Sequence, residues 1–492
     1  MKSYRTYAPE QPYLLPPAPR DWLPSDHLAH FVLNLVGDLD LGAIERRLQS
    51  KDHRGERPYS PVMMTALLIY AYCTGVFSSR RIAKATNDDV AFRFLCANDH
   101  PHFTTINQFR AMYRKELADL FVQVLHACMS AGLVTLGHVA IDGTKMKANA
   151  SKHKAMSFDR MLKDDARLRQ QVEDLLAQAE AADAEEDKIE GPYDPQEEIR
   201  RREEKLAKMA QAREALRRET AKARAERLRQ QAEELRAKAQ DPATAPRDQK
   251  GFVTIAANRD QQADKLAPKD EDPPDDGPDD DLPRNTPPST RDGEPKAKAQ
   301  RNFTDSESRI MLRDGAFIQA YNAQIAVDES HQIIVAAALS NQAPDAEYFE
   351  PMLRRVVTNT GAVPERTTAD SGYFSTANVR AAEHMGTEPF ISVGRHKNCG
   401  TQEADISIQN RRTPERAMMR ARLETPEGKA AYARRKATAE PPFGQIRACQ
   451  GFHKLSFRGL FKNRCEWSFV CLAHNLLKLF RAVVRKSQLQ LA

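Results

Sequence analysis

Residues 137–153 read GHVAIDGTKMKANASKH. Val139, Ala140 and Ile141 make a compact apolar run, stopped by Asp142-Gly143. That pattern predicts a buried strand ending in a carboxylate and a turn. An Asp at a strand end is most often a turn former, so its meaning depends on what the fold brings beside it. Downstream, GAFIQAYNAQIAVD (315–328) predicts a strand with Phe317, Tyr321, Ala323, Ile325 and Val327 on one face. QIIVAAALS (332–340) follows across the short DESHQ turn, so the two form a hairpin. A helix is expected over 345–357. RTTADSGYFS (366–375) reads as a second short strand, ending at Asp370. A helix over 376–385, the strand PFISVG (389–394), a helix over 432–449 and an apolar helix from Cys465 complete the series.

The order is therefore strand, strand, strand, helix, strand, helix, strand, helix, which predicts an α/β domain on a mixed sheet. In such a sheet the first and fourth strands can be neighbours. Their terminal carboxylates, Asp142 and Asp370, would converge, and the helix carrying Glu440 could supply a third. Hard oxygen donors of this kind suit Mg²⁺ or Mn²⁺. Two such ions about 3.5–4 Å apart can activate an attacking oxygen and stabilise a leaving one in phosphoryl transfer.

Upstream, residues 1–136 read as a Pro-rich lead-in and then helices. Ser60-Pro61 is a helix start before VMMTALLIYAYCTG, Ser78-Ser79 caps RRIAKAT, and Thr104-Thr105 opens a long helix over 106–132. Short helices joined by brief turns suit a helix-turn-helix DNA-binding domain, with Arg110 and Arg114 where a recognition helix could present them. Residues 155–240 are rich in Ala, Glu, Arg, Lys and Gln, with Gly191-Pro192 dividing them; a projecting helical hairpin, resembling a coiled coil, is expected. Residues 241–300 include KDEDPPDDGPDDDLPRNTPPST, which predicts an acidic, Pro-rich disordered linker. The sheet domain is thus discontinuous, 137–154 and 301–485.

The chain has 74 Lys and Arg against 68 Asp and Glu, a formal net charge of +6, with the acids crowded centrally and the C-terminal part basic. A basic face suggests a polyanionic partner. The 7 Cys are scattered without a CxxC pair, so neither a disulfide framework nor a zinc knuckle is indicated, and reduced thiols in a cytoplasmic protein are expected. No signal peptide or membrane span is expected.

Three blocks carry a resemblance to a family. VAIDGTKMKANAS surrounds Asp142, TTADSGYFS surrounds Asp370, and YARRKATAEPPFGQIRACQGFHKLSFRG surrounds Glu440. Together with NFTDSESRIM and GAFIQAYNAQIAVD, they resemble the bacterial insertion-sequence DDE transposases with a ribonuclease H-like catalytic domain, in the branch with a Tyr-Arg-Glu-Lys signature. This chain departs from that signature. Lys436 stands four residues before Glu440, where Arg is usual; Ala433 stands seven before, where Tyr is usual; Arg447 replaces the Lys seven after. Tyr432 and Arg435 are each displaced by one. The resemblance implies cleavage at element ends and joining of a 3′-hydroxyl to target DNA, with two Mg²⁺ or Mn²⁺ ions on Asp142, Asp370 and Glu440.

It also implies double-stranded DNA and other copies of the chain as partners, and action at the nucleoid. Lys145, Lys147 and Lys152, after Asp142, and Tyr432, Arg435, Lys436, Arg447, Lys454 and Arg458, around Glu440, are candidates to hold the DNA backbone. A metal-dependent nuclease on the same scaffold and a catalytically silent DNA-binding protein are the alternatives. Asp305 and Asp328 are rival carboxylates, expected to cap or turn the chain, and Trp467 and Phe469 are expected in the core.

Overall fold

The computed structural model describes residues 18–50, 57–183, 195–241, 244–267, 282–394 and 414–491. The lead-in before residue 18, the Gly191-Pro192 break, the stretch 268–281 and the basic stretch 395–413 lie outside the described residues.

Among the described residues the N-terminal part holds seven α-helices: α1 (Leu28–Asp38), α2 (Gly42–Gln49), α3 (Pro61–Cys73), α4 (Ser79–Asp88), α5 (Val90–Leu95), α6 (Phe103–Met112) and α7 (Arg114–Ser130). The expected helix over 106–132 is in fact two, broken at Tyr113. Pro61 occupies the first turn of α3, and ten of its thirteen residues are buried. It is apolar on all sides because it is covered on all sides, by α1 and by the C-terminal helix α15 (Leu460–Leu491). One hydrophobic core runs from α1 and α3 through α15 to the sheet. The helical part is therefore fused to the sheet domain and does not stand as a separate body.

The sheet has six strands: β1 (His138–Lys147), β4 (Arg309–Arg313), β5 (Ala316–Asp328), β6 (Ile334–Ser340), β7 (Arg366–Ala369) and β8 (Glu388–Ile391). Its path is β4-β5-β1-β7-β8, with β6 also on β5. β1 pairs antiparallel with β5 along its length and parallel with β7 over His138–Ala140 only. The first and fourth strands of the expected series are thus neighbours. α11 (Phe349–Thr360) and α12 (Thr376–Met385) share a core with one face of the sheet. α14 (Pro426–Gly444) and α15 cover the other, while α13 (Pro414–Glu424) packs at the β8 edge. Trp467 and Phe469 of α15 are core residues as expected, and Trp467 Nε1 donates to the Gln324 carbonyl at 3.2 Å. By length and composition α15 could cross a membrane, against expectation; its apolar residues are used in this core.

Two further expectations are corrected. β1 does not stop at Asp142 but continues to Lys147, because β5 supplies it with an unbroken antiparallel partner. Part of the presumed disordered linker is α10 (Pro246–Leu266). α10 buries Ala256 and Ala263 against the 46-residue α9 (Pro195–Gln240) and pairs Asp260 and Asp264 with Arg236 and Arg229. With α8 (Phe158–Asp183) this makes a three-helix arm, about 70 Å long at ~1.5 Å per residue of α9. Its root is a two-stranded ladder, β2 (Ala155–Ser157) with β3 (Gln300–Asn302).

Candidate active site

The site begins where β1 and β7 part. Ala140 pairs with Thr368 in the last registered position, and both side chains lie on the α14 face of the sheet. Two residues further along each strand direction, on that same face, stand Asp142 and Asp370. Side chains alternate every residue, so the two carboxylates occupy equivalent places on the prongs of a fork whose strands start about 4.8 Å apart. Asp142 is pushed up to about 6, first by burial and also by the nearby charges of Asp370 and Asp345. Gly143 N–H and the Arg435 guanidinium pull the other way, at 2.8 Å and 3.3 Å, without cancelling the burial cost. The Asp370 carboxylate accepts the Gly372 N–H at 2.8 Å, heading a short 3₁₀ turn.

Glu440 is the third expected carboxylate. Its helix packs on β1, β5 and β7, but the side chain is exposed. α14 turns Arg435, Thr438, Ala439 and Pro442 inward. Among the described residues no three His, Cys, Asp or Glu stand together as a metal cluster. The structure therefore joins two of the three and leaves the expected trio open. The reason is local: at 100° per residue Glu440 falls about 140° round the helix from the inward-facing Arg435.

Arg435 is 8% exposed and forms the ion pair with Asp142, under the Tyr432 ring at 5.7 Å. Arg447 donates to Thr144 Oγ1, and Thr144 shares a β1 face with Asp142. The Nε atoms of both arginines are buried without a partner. They are donors left over beside the Asp142 face of β1, which fits an anionic oxygen there.

The opposite face of β1 carries a group that the sequence reading did not assign. Asp345 Oδ1 accepts from Lys145 Nζ at 3.0 Å, Asn322 Nδ2 at 2.7 Å and Gln324 Nε2 at 2.9 Å. The Tyr373 hydroxyl donates to Gln324 Oε1, and burial with three nearby carboxylates holds this phenol well above its usual value. Gly143 lies against this network: a Cβ there would stand 3.0 Å from the Tyr373 hydroxyl and closer still to the Gln324 amide. The signal was present as Asn322 and Gln324, two amides inside an apolar strand.

The remaining candidates divide. Lys147, Lys152, Lys436, Lys454 and Arg458 are exposed. Lys145 is bound to Asp345 and the Ala343 carbonyl. Arg110 donates to the Phe77 carbonyl at 2.8 Å and the Tyr72 hydroxyl at 3.3 Å and lies over Phe457; Arg114 donates to the Ala111 carbonyl and lies over Phe461. These two arginines tie the helical part to Phe457 and Phe461 of the C-terminal region. Asp305 accepts from the Tyr321 hydroxyl and Gly459 N–H, and Asp328 takes backbone N–H groups of Thr135, Leu136 and Ser330. Both rivals are structural.

Residues 293–476 match the transposase DDE domain family, and residues 18–112 match the transposase domain (DUF772) family. The chain is an insertion-sequence DDE transposase. No curated protein and no solved structure matches it. The DDE match opens after Asp142, yet β1 lies between β5 and β7, both inside the match. The transposase's first strand therefore belongs to the same catalytic domain, whose mixed sheet and flanking helices are ribonuclease H-like. Its substrate is DNA, and its family depends on divalent metal.

Proposed function

We propose that Asp142, Asp370 and Glu440 hold two Mg²⁺ or Mn²⁺ ions and that the chain cuts element ends and joins them to target DNA. The observation that carries this reading is the pair Asp142 and Asp370 at the β1/β7 fork. One is buried enough to resist ionisation alone, and the repulsion between them is relieved by a cation. When bound, the ions supply activation of the attacking oxygen and stabilisation of the departing one. Arg435 acts as counter-ion to Asp142 and, with Arg447, offers N–H groups to a phosphate on the same face. Glu440 completes the ligand set from its exposed place on α14. The spacing of Tyr432, Arg435, Glu440 and Arg447 supports the Tyr-Arg-Glu-Lys branch in a shifted form. Exposed Lys147, Lys152, Lys436, Lys454 and Arg458 hold DNA backbone. The helical arm serves to pair copies of the chain, as synapsis of two ends requires.

The test is cleavage and strand transfer on duplexes carrying the DNA that flanks the gene on either side. Asp142→Asn, Asp370→Asn and Glu440→Gln each abolish both steps while leaving DNA binding intact. Full cleavage by Glu440→Gln removes that residue from the site. Cleavage without joining by the wild type replaces transposition by the nuclease reading.

A further inference from the structure

A second site lies where α4 and α6 meet the sheet domain. A cleft of about 660 Å³ opens there, between the first turns of both helices and a strip formed by Asn149 and residues 454–456. The N-caps Ser78 and His102 make no side-chain capping bond, so N–H groups in the first turn of each helix have no intrahelical or capping acceptor. Ser79 also lines the cleft. It is 8% exposed, and its hydroxyl has no partner among the described residues. Arg80, Arg110 and Lys454 are in the lining, which contains no Asp or Glu. Arg80 lies over the Phe103 ring at 5.0 Å, and both terminal nitrogens of Arg110 donate to neighbouring protein groups while its buried Nε has no partner, so Arg110 contributes charge more than new bonds. Glu466, which faces Arg110 from behind the wall, accepts from the Tyr72 hydroxyl and the Ser456 N–H, and burial raises its pKa.

Unserved helix-head donors, an orphan hydroxyl and a cationic lining without acids together make an anion site. We infer that this cleft seats a backbone phosphate of the duplex the transposase cuts, held by the α4 and α6 heads, Ser79, Arg80 and Lys454. This rests on the DNA reading above and adds the place of contact. The strip is tied to β1: Leu455 N–H donates to the Lys147 carbonyl and Asn149 Nδ2 to the Ser456 carbonyl. Asn149 follows Asp142 by seven residues, so the two are no more than about 25 Å apart. The seated phosphate lies within about seven nucleotides of the cleavage point, at ~3.4 Å per phosphate on one strand.

The test is the salt dependence of binding of the full chain to a duplex of about 30 bp without divalent metal. Arg80→Glu and Lys454→Glu each weaken binding about tenfold and lower the slope of log K against log salt by about 0.9, one phosphate's worth. Lys84→Glu makes the same charge reversal on α4 outside the cleft, at a side chain 80% exposed, and leaves the slope unchanged. If Arg80→Glu and Lys454→Glu behave as Lys84→Glu does, the cleft is overturned and the DNA reading stands. A wild type that binds no duplex overturns both.

Discussion

Gln332 donates its side-chain amide to the Ala437 carbonyl at 2.9 Å. Pro441 stands four residues after Ala437 and has no N–H with which to close that helical bond. The β5–β6 turn therefore supplies what the Pro-Pro step in α14 removes, next to Glu440. Gln332 Oε1 also accepts from Lys478 of α15 at 2.9 Å, and its carbonyl accepts from His474 at 3.1 Å. One residue thus sets the helix of Glu440 against both the sheet and α15.

Gln332→Ala should lower stability by about 1 kcal/mol, the usual net worth of such a bond. Cleavage should fall severalfold while duplex affinity holds. Gln332→Glu keeps an acceptor for Lys478 but sets an oxygen against the Ala437 carbonyl, so it should slow cleavage at least as much. Thermal melting and cleavage rates side by side check this. Equal loss of binding and cleavage would instead mark general unfolding.

Asp142→Asn should abolish cleavage yet stabilise the metal-free protein at pH 8 by about 1–2 kcal/mol. The native carboxyl titrates at about 6, against 3.8 for the free group. Its contribution favours folding below pH 3.8 and is lost as pH rises through 6, so ionised Asp142 is a liability that Asn removes. Urea unfolding at pH 8 and pH 4 checks the sign: the gain should vanish at the lower pH.

The same titration governs metal. A cation needs the ionised carboxyl, so Mn²⁺ or Mg²⁺ should raise the melting temperature at pH 7.5 and progressively less below pH 6. Melting curves over this range with and without metal measure it. In Asp142→Asn the metal effect should be small at every pH.

Gly143→Ala should cost about 1–3 kcal/mol. Its Cβ meets Gln324 and Tyr373, and the Gln324 amide cannot swing away because Asn322 and Asp345 hold it. Cleavage should fall with it, since the shift is transmitted to Asp142 next door. Chemical denaturation and cleavage assays test both halves.

Much of the catalytic domain was legible because local patterns and local structure agree. Gly386 in a left-handed conformation ends α12, Asp370 follows β7, and the apolar runs of β5 and β6 are buried. The errors share a cause in tertiary context. β1 runs past Asp142-Gly143 because β5 pairs with it, which a turn signal cannot reveal. α10 is polar enough to read as linker and is held by small residues and charge pairs against α9. Phe457 and Phe461 reach Arg110 and Arg114 from the other end of the chain, which no local pattern shows. In the site, the Asp142–Asp370 pairing followed from strand order, whereas Asp345 needed three partners gathered from two strands.

The β2–β3 ladder that roots the helical arm has a consequence for how this enzyme can vary. The polypeptide leaves and returns through three paired residues on each side, and Leu282, Pro283 and Asn285 fasten the returning segment to the sheet domain as well, so the base of the arm is fixed and its far end is not. Turns of helix can be added or trimmed at the far end like sections of a mast, leaving the cutting geometry in place while resetting the reach of the arm.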